Sequence, residues 1–191
     1  MSRVYIVTDS TADLTEEEVK QFEISIVPMN ISIDDENYID GVTITKDEFK
    51  QKMIASSELP KTAQPSIGRF VEVYDELGKN GDSVISIQMM RSISGTVDAA
   101  RQAADITETN VKVVDSDFTS RSMGMIVKEA AKAAQEGKTV EEKVSTEVYL
   151  NVNAYIPDDY IEDEIQKMEI YKKIASITFT NTANGTYPTF L

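Results

Sequence analysis

Residues 84–97 have the sequence VISIQMMRSISGTV, and this stretch decides the fold class of the domain around it. The β-branched run Val84–Ile87 predicts a strand, and a helical pattern begins at about Ser94. A strand that leads into a helix through a short polar loop is the repeating unit of parallel sheets covered by helices. The stretch therefore predicts an α/β domain.

Two further strands with similar ends flank this stretch in the sequence. Residues 4–7 and 111–114 are short β-branched runs, and small polar residues follow each of them at 8–10 and 115–117. In a parallel sheet the carboxyl ends of the strands meet at one edge, where ligands bind. We therefore expect these polar residues and Ser94 to converge on one rim.

Capping residues mark the starts of the predicted helices. Thr15 with Glu18, and Thr45 with Glu48, have the spacing of a capping box, and Ser66 can cap a third helix. Helices that alternate with strands predict a mainly parallel sheet with helices on both faces. The other predicted elements are an extended segment over 24–33, a turn at 38–41, a loop stiffened by two prolines at 60–66 and a helix over 122–135.

The strand-to-helix alternation stops before the end of the chain. We therefore divide it into a domain of residues 1–143 and an atypical carboxyl-terminal segment of residues 144–191. The segment is predicted to be a short α+β piece with a strand over 149–156, an amphipathic helix over 160–174 and a last strand or frayed end from Ile177.

Composition excludes several classes of function. The chain has 33 acidic and 19 basic residues, a formal net charge of −14, no histidine and no cysteine. A strongly acidic chain argues against a nucleic-acid partner, since phosphate binding requires clustered Lys and Arg. The missing residue types exclude Ser-His and Cys-His nucleophile pairs and thiolate zinc sites.

Metals and membranes are also not expected. Asp9, Asp115 and Asp117 could be paired acids or metal ligands, but Asp at strand ends is more often a turn former or helix cap. The sequence contains neither a transmembrane-length apolar run nor a recognisable secretory signal, so we expect a cytoplasmic protein without a transmembrane segment.

Two loops carry the candidate ligand-binding groups. The sequence Ser94-Gly95-Thr96 begins a helix, whose free N–H groups and positive dipole end suit a carboxylate or phosphate. Gly95 would let an anion approach the backbone, and the two hydroxyls add donors. Thr62 lies between two prolines that can hold its hydroxyl in place. Each pattern alone is equally typical of ordinary helix and loop structure.

Taken together, five motifs resemble one protein family. VTDSTADL at 7–14, YIDG at 38–41, KTAQPS at 61–66, ISGT at 93–96 and VVDS at 113–116 are similar, in order and spacing, to the amino-terminal motifs of the DegV family. The resemblance implies a protein that binds one long-chain fatty acid. It also implies a separate fatty acid kinase as a partner, no enzymatic activity of its own and no cofactor.

The family resemblance also implies the binding residues. In that family the threonine of the K-T-x-Q-P-S motif and the serine of the S-G-T motif hydrogen-bond the fatty-acid carboxylate, and these fall on Thr62 and Ser94. We add the neighbours Gly95 and Thr96. Ser10 and Arg91 complete the predicted set of ligand-binding residues; Arg91 either helps to neutralise the carboxylate or points to solvent.

The carboxyl-terminal segment departs from the family. DegV proteins have a second domain that closes over the lipid, whereas residues 148–175 resemble a segment of the carboxyl-terminal domain of the transcription-repair coupling factor, without any ATPase motif. A binding site without the domain that normally covers the lipid predicts weak lipid binding or a homodimer that covers the apolar surface.

Two alternatives stay open. One is a truncated or fused DegV remnant that acts as a protein-interaction module through residues 145–175. The other is a small-molecule phosphate-handling enzyme that uses Asp9, Asp115 or Lys61.

Overall fold

The computed structural model describes residues 3–138, 140, 177–182 and 185–190. The chain divides into two units, Met1–Ser145 and Thr146–Leu191. The division that we predict at residues 143 and 144 stays a prediction. The described elements of the first unit are, in chain order, β1 Val4–Asp9, a 3-10 turn Ser10–Ala12, α1 Glu16–Phe22, β2 Ser25–Val27, β3 Asn30–Ile33, β4 Glu36–Ile39, α2 Lys46–Ala55, β5 Lys61–Ala63, α3 Ile67–Gly78, β6 Ser83–Gln88, α4 Thr96–Ile106, β7 Asn110–Asp115 and α5 Ser120–Gln135.

A four-stranded parallel sheet forms the centre of the first unit. Its strand order is β2-β1-β6-β7, and every neighbouring pair is parallel. In the register of the central strand β1, Val7 pairs with Ser25 on one side and with Ser86 on the other. The sheet confirms the predicted fold class.

Helices cover both faces of this sheet. Ile6 packs with Met123 of α5 on one face, whereas the next residue, Val7, packs with Phe70 and Tyr74 of α3 on the other. Successive side chains of a strand point to opposite faces, so one short apolar run supplies both cores. The alternation of strands and helices in the sequence therefore produces three layers, namely helices, sheet and helices.

A second, three-stranded antiparallel sheet was not predicted. Its order is β4-β3-β5, and its buried core consists of Ile31, Ile33 and Ile44. The extended segment predicted over 24–33 is in fact two strands, β2 and β3, that belong to different sheets. Pro28, which cannot donate a ladder hydrogen bond, lies between them.

Two predicted loops contain strands of this second sheet. Half of the turn predicted at 38–41 belongs to β4, and the loop predicted at 60–66 contains β5, whose Thr62 pairs with Ile31. The strands are only three or four residues long and their partners are distant in the sequence, so no local periodicity reveals them.

Two strands of the second unit are described. β8 (Ile177–Thr182) and β9 (Gly185–Phe190) pair in antiparallel fashion, with Ile177 opposite Phe190. A strand does begin at Ile177, which is one of the two predicted possibilities, but a second strand that was not predicted follows it. The strand and helix predicted over 149–156 and 160–174 lie outside the described residues.

Among the described residues, no helix has both the length and the apolar composition that crossing a bilayer requires.

Candidate functional site

The carboxyl ends of the parallel strands are joined at one rim, as predicted. The Asp9 carboxylate accepts hydrogen bonds from the backbone N–H groups of Thr11 and Met89, both at 2.9 Å. The Asp115 carboxylate accepts from the Arg91 N–H at 3.3 Å. These carboxylates thus act as turn formers that hold the loops after β1, β6 and β7 together.

A cavity of about 470 Å³ opens beside this rim. Its size falls within the range of small-molecule sites, roughly 300–1,000 Å³. The parallel-sheet side, which we call the parallel wall, contributes Met89, Ile93, Ser94 and Gly95. The second sheet, which we call the antiparallel wall, contributes Ile31, Thr62, Ala63 and Gln64. Thr11, Met29 and Asp40 complete the lining. The two sheets therefore bring Thr62 and Ser94 to the same cavity.

On the parallel wall, Ser94 precedes helix α4 without capping it. The N-cap residue is Gly95, so a helix start at Ser94 is a prediction that the structure corrects by two residues. Ser94 Oγ instead accepts the Thr96 N–H at 3.3 Å and shares a hydrogen bond with Thr96 Oγ1 at 2.8 Å. Thr96 is fully buried, and its hydroxyl also reaches the Met29 sulfur at 3.8 Å. Thr96 consequently lies behind Ser94.

On the antiparallel wall, Thr62 is held by strand pairing and not by the prolines alone. It is the middle residue of β5, opposite Ile31 in the register of the second sheet. Two residues further along the chain, the Gln64 carbonyl accepts a hydrogen bond from Asn30 Nδ2 at 3.1 Å, which holds the end of β5 in place. Thr62 is exposed, as are its neighbours in the strand, so its hydroxyl is accessible to a ligand.

Three predicted site residues, Ser10, Arg91 and the buried Thr96, are not among those that line the cavity. Ser10 Oγ accepts the Met29 N–H at 3.1 Å, which fixes a lining residue from behind. The Arg91 guanidinium pairs with Asp98, with Nε 3.0 Å from Oδ1. A ligand-binding role for Ser10 or Arg91 stays a prediction, and the described contacts give each of them another partner.

The described lining of the cavity carries no positive charge. Asp40 is the only ionisable residue in the lining, to which no Lys or Arg of the described residues contributes. Behind the rim, burial raises the pKa of Asp9, although its hydrogen bonds from Thr11 and Met89 oppose the shift. The pKa of Asp117 is raised by burial and by the neighbouring Asp115 charge. Among the lining residues, an acid bound here would find only neutral hydrogen-bond donors.

Within the described ranges, no group of three or more acidic residues is arranged to hold a metal ion.

Several lining residues were not predicted from the sequence. Met29, Ile31 and Met89 look like ordinary core residues by their apolar character, and nothing in their spacing places them at a cavity. Gln64 could have been found, because it lies inside the KTAQPS motif two residues after Thr62. Long-range strand pairing, which a single sequence does not reveal, brings these residues together.

The first unit is an α/β domain with a cavity of small-molecule size beside the carboxyl end of a parallel sheet, which is where α/β proteins place their ligand sites. The sequence profile of the DegV family, described as uncharacterised proteins, matches residues 3–156, and the chain belongs to this family. A TRCF domain profile matches residues 150–186, which confirms the second predicted resemblance.

Relatives and solved structures agree with this assignment. A DegV domain-containing protein of Streptococcus pneumoniae is 42% identical over 161 residues, covering 80% of this chain and 58% of the relative. A DegV family protein of Thermus thermophilus, studied for fatty acid binding, has a TM-score of 0.67 at 34% identity over 73% of this chain and 50% of that one. A stearic acid-binding protein of Eubacterium ventriosum has a TM-score of 0.68 at 28% identity, with 74% and 50% of the two chains covered.

The chain spans little more than half the length of the curated relatives that it matches.

Proposed function

We propose that the first unit binds the carboxylate of a long-chain fatty acid in the cavity between the two walls. The observation that carries this proposal is the convergence of Thr62 and Ser94, from two different sheets, on one cavity. Solved relatives that are described as binding a fatty acid or stearic acid support it. A binding protein, and not an enzyme, is the class that these features favour.

The polar groups of the site suit an acid headgroup. A carboxylate accepts hydrogen bonds at two oxygens, and the hydroxyls of Thr62 and Ser94 can each donate one. The amino-terminal end of α4, just after Ser94, adds a favourable dipole. Neutral donors of this kind hold a carboxylate without a cation in the lining.

Thr96 supports the Ser94 hydroxyl from behind. Thr96 Oγ1 has a single proton: when it donates to Ser94 Oγ at 2.8 Å and not to the more distant Met29 sulfur at 3.8 Å, the Ser94 proton is available to the ligand. The three groups would form a chain from Thr96 through Ser94 to the carboxylate. We therefore assign Thr96 a supporting role and not direct contact.

The apolar part of the lining suits an acyl chain only in part. Met29, Ile31 and Met89 offer apolar contacts, but Ile93 at the margin is 62% exposed. An enclosed acyl chain contributes about 0.8 kcal/mol of binding free energy per buried CH₂ group, and an acyl chain that stays partly exposed contributes less. We expect this chain alone to bind weakly or to form a homodimer that covers the acyl chain.

The partners follow from the same proposal. The family resemblance favours a separate fatty acid kinase that receives the bound acid, and a cytoplasmic location. Both stay predictions, as does an interaction role for residues 145–175, which lie outside the described residues.

The binding proposal is tested by titration calorimetry of the full chain with palmitate. We expect measurable binding by the wild type and a loss of about 1.5–3 kcal/mol for Thr62→Ala or Ser94→Ala, the cost of a hydrogen bond to a charged group. Thr96→Val, which removes a donor behind Ser94, should cost less than Ser94→Ala. Ser57→Ala is the matched control, because Ser57 is exposed and away from the lining.

Two outcomes would overturn the proposal. One is the absence of palmitate binding by the wild type, together with no fatty acid in native mass spectra of the purified protein. The other is binding that both alanine variants retain in full. Inorganic phosphate that displaces palmitate would instead favour the phosphate-handling alternative.

A further inference from the structure

Gly95 lies on the parallel wall in a conformation that does not require glycine. Its φ of −76° and ψ of 7° are accessible to other residues. A Cβ atom built on Gly95, however, would lie 2.0 Å from Oε1 of Gln64, 3.0 Å from its Cδ and 3.3 Å from its Nε2. All three nearest atoms belong to Gln64, so the missing side chain leaves room for that one residue.

Gln64 crosses from one wall of the cavity to the other. It follows Thr62 by two residues, and its carbonyl oxygen accepts the Asn30 Nδ2–H at 3.1 Å. The next residue, Pro65, is buried and restricts Gln64 to an extended backbone. Its side-chain amide reaches Gly95, the neighbour of Ser94. The amide thus lies at the same cavity as the two hydroxyls that the proposed function uses.

The Gln64 amide has capacity for a ligand. Within residues 3–138 it makes no side-chain hydrogen bond to another protein group, although it lines the cavity with Thr62 and Ser94. A carboxylate offers about four lone-pair sites, of which two hydroxyls fill only two. Asp40 is the only ionisable residue that the described part of the chain contributes to the lining, so a further donor to an acid headgroup from this lining would be neutral.

We infer that Gln64 is a third ligand of the acid headgroup, donating an Nε2–H to the carboxylate, and that Gly95 is present to admit it. The inference rests on the proposed function and adds to it a further donor to the headgroup. Gly95 on this account serves the glutamine and not, as its sequence context suggests, a direct approach of the anion to the backbone.

Two variants of position 64 separate a ligand from a packing residue. Gln64→Glu keeps the shape but replaces the donor with a charged acceptor, whereas Gln64→Met keeps similar bulk and lacks a donor. If Gln64 donates to the carboxylate, palmitate affinity at pH 7.5 falls in the order wild type, Met variant, Glu variant. The first step is about ten- to hundredfold, as expected for one hydrogen bond to a charged group. A packing role predicts instead that the Met variant, which keeps similar bulk, binds palmitate as the wild type does; the Glu variant is weakened in either case, because its charge repels the carboxylate.

A double-mutant cycle with Gly95 tests the steric part. Gly95→Ala in the wild-type background would displace the Gln64 side chain, so we expect a loss of palmitate affinity similar to that of Gln64→Ala. In the Gln64→Ala background the side-chain amide of Gln64 is absent, so the methyl group added by Gly95→Ala no longer meets its atoms. Gly95→Ala should then lower the palmitate affinity little further. Equal losses in the two backgrounds would overturn the inference.

The results distinguish this inference from the proposal on which it rests. Palmitate binding that is weakened by Ser94→Ala but unchanged by Gln64→Met overturns the third ligand and leaves the proposed function intact. A wild-type chain that does not bind palmitate overturns both. Thermal unfolding of each variant at the same pH shows whether a loss of affinity reflects a loss of folded protein.

Discussion

The two walls of the cavity differ in how the rest of the fold supports them. The parallel wall extends from a sheet with a buried core on each face, which includes the fully buried Phe70, Tyr74 and Met123. The antiparallel wall extends from a sheet with three buried residues, and β5, which carries Thr62, is exposed along its length. Helix α2, which follows β4 in the chain, has no buried residue.

This difference assigns the two hydroxyls different roles in the site. Ser94 is placed by a well-packed α/β core and by the buried Thr96 behind it. Thr62 depends on the pairing of β5 with β3 and on the Asn30–Gln64 hydrogen bond. Regions with few buried contacts open at lower cost. We therefore expect Ser94 to be the fixed half of the site and Thr62 the half that adjusts to the ligand.

The largest effect should come from the core behind the parallel wall. Phe70→Ala removes a fully buried ring that packs on Tyr74 at 5.8 Å between centroids, and should lower the free energy of unfolding by about 3–5 kcal/mol. Chemical denaturation provides the measurement. Leu59→Ala is the control, since Leu59 is 84% exposed. Equal losses for the two variants would contradict the comparison.

A smaller loss of stability is expected for a substitution at the rim beside the parallel wall. Asp9→Asn keeps the size of the side chain, but its amide cannot accept from all three donors that the carboxylate binds, on Thr11 and Met89. The cost is that of one unsatisfied buried group, about 1–3 kcal/mol. Denaturant titration at pH 7 measures it. No change in stability would show that the rim does not depend on this carboxylate.

The antiparallel wall should respond less still to a core truncation. Ile33→Val removes one methylene from the three-residue core of the second sheet and should cost about 0.5–1.5 kcal/mol. Hydrogen exchange should show faster opening of β3 and β5 with little change in β1 and β6. A uniform increase across both sheets would mean that the two walls unfold as one unit.

The smallest expected effect is the difference between the two capping boxes. One begins α1, beside the parallel sheet, and the other begins α2, beside the second sheet. Glu18 and Glu48 both accept the N–H of their capping threonines, but Glu18 also binds Arg121 and Lys128 of α5. These cations hold the pKa of Glu18 far below its ordinary value of 4.5. Stability from Glu18 is therefore present above pH 4.5 and is lost as the pH falls through the lowered pKa.

Thermal unfolding of matched variants measures that difference. At pH 7 we expect Glu18→Gln to lower the melting temperature more than Glu48→Gln. The difference should be modest, because Arg121 is exposed and Glu18, although mostly covered, keeps 18% of its side chain accessible to solvent. The gap should narrow as the pH falls below 4.5. Equal effects at pH 7 would show that the bridge from α1 to α5 adds nothing to the cap.

The parts of the fold that local chemistry determines were predicted from the sequence. Both capping boxes form at the predicted threonines, and Asp9 is a turn former, because each depends on residues within a few positions. The second sheet was missed, because β3, β4 and β5 are short and their pairing joins residues such as Ile31 and Thr62 across about thirty positions.

The same distinction applies to the site. The sequence motifs indicate Thr62 and Ser94, and the structure places both at one cavity. Motifs alone do not show that Arg91 pairs with Asp98, nor that Gln64 fills the space beside Gly95. Such contacts between distant segments depend on the folded geometry.

The central claim is that Thr62 and Ser94 hold the carboxylate of a fatty acid. Carbon-13 NMR of the full chain with palmitate labelled at its carboxyl carbon tests this most directly. We predict a bound carboxyl signal distinct from the free one, shifted or lost in both Thr62→Ala and Ser94→Ala and unchanged in Ser57→Ala. A bound signal that is the same in all four proteins would contradict the account.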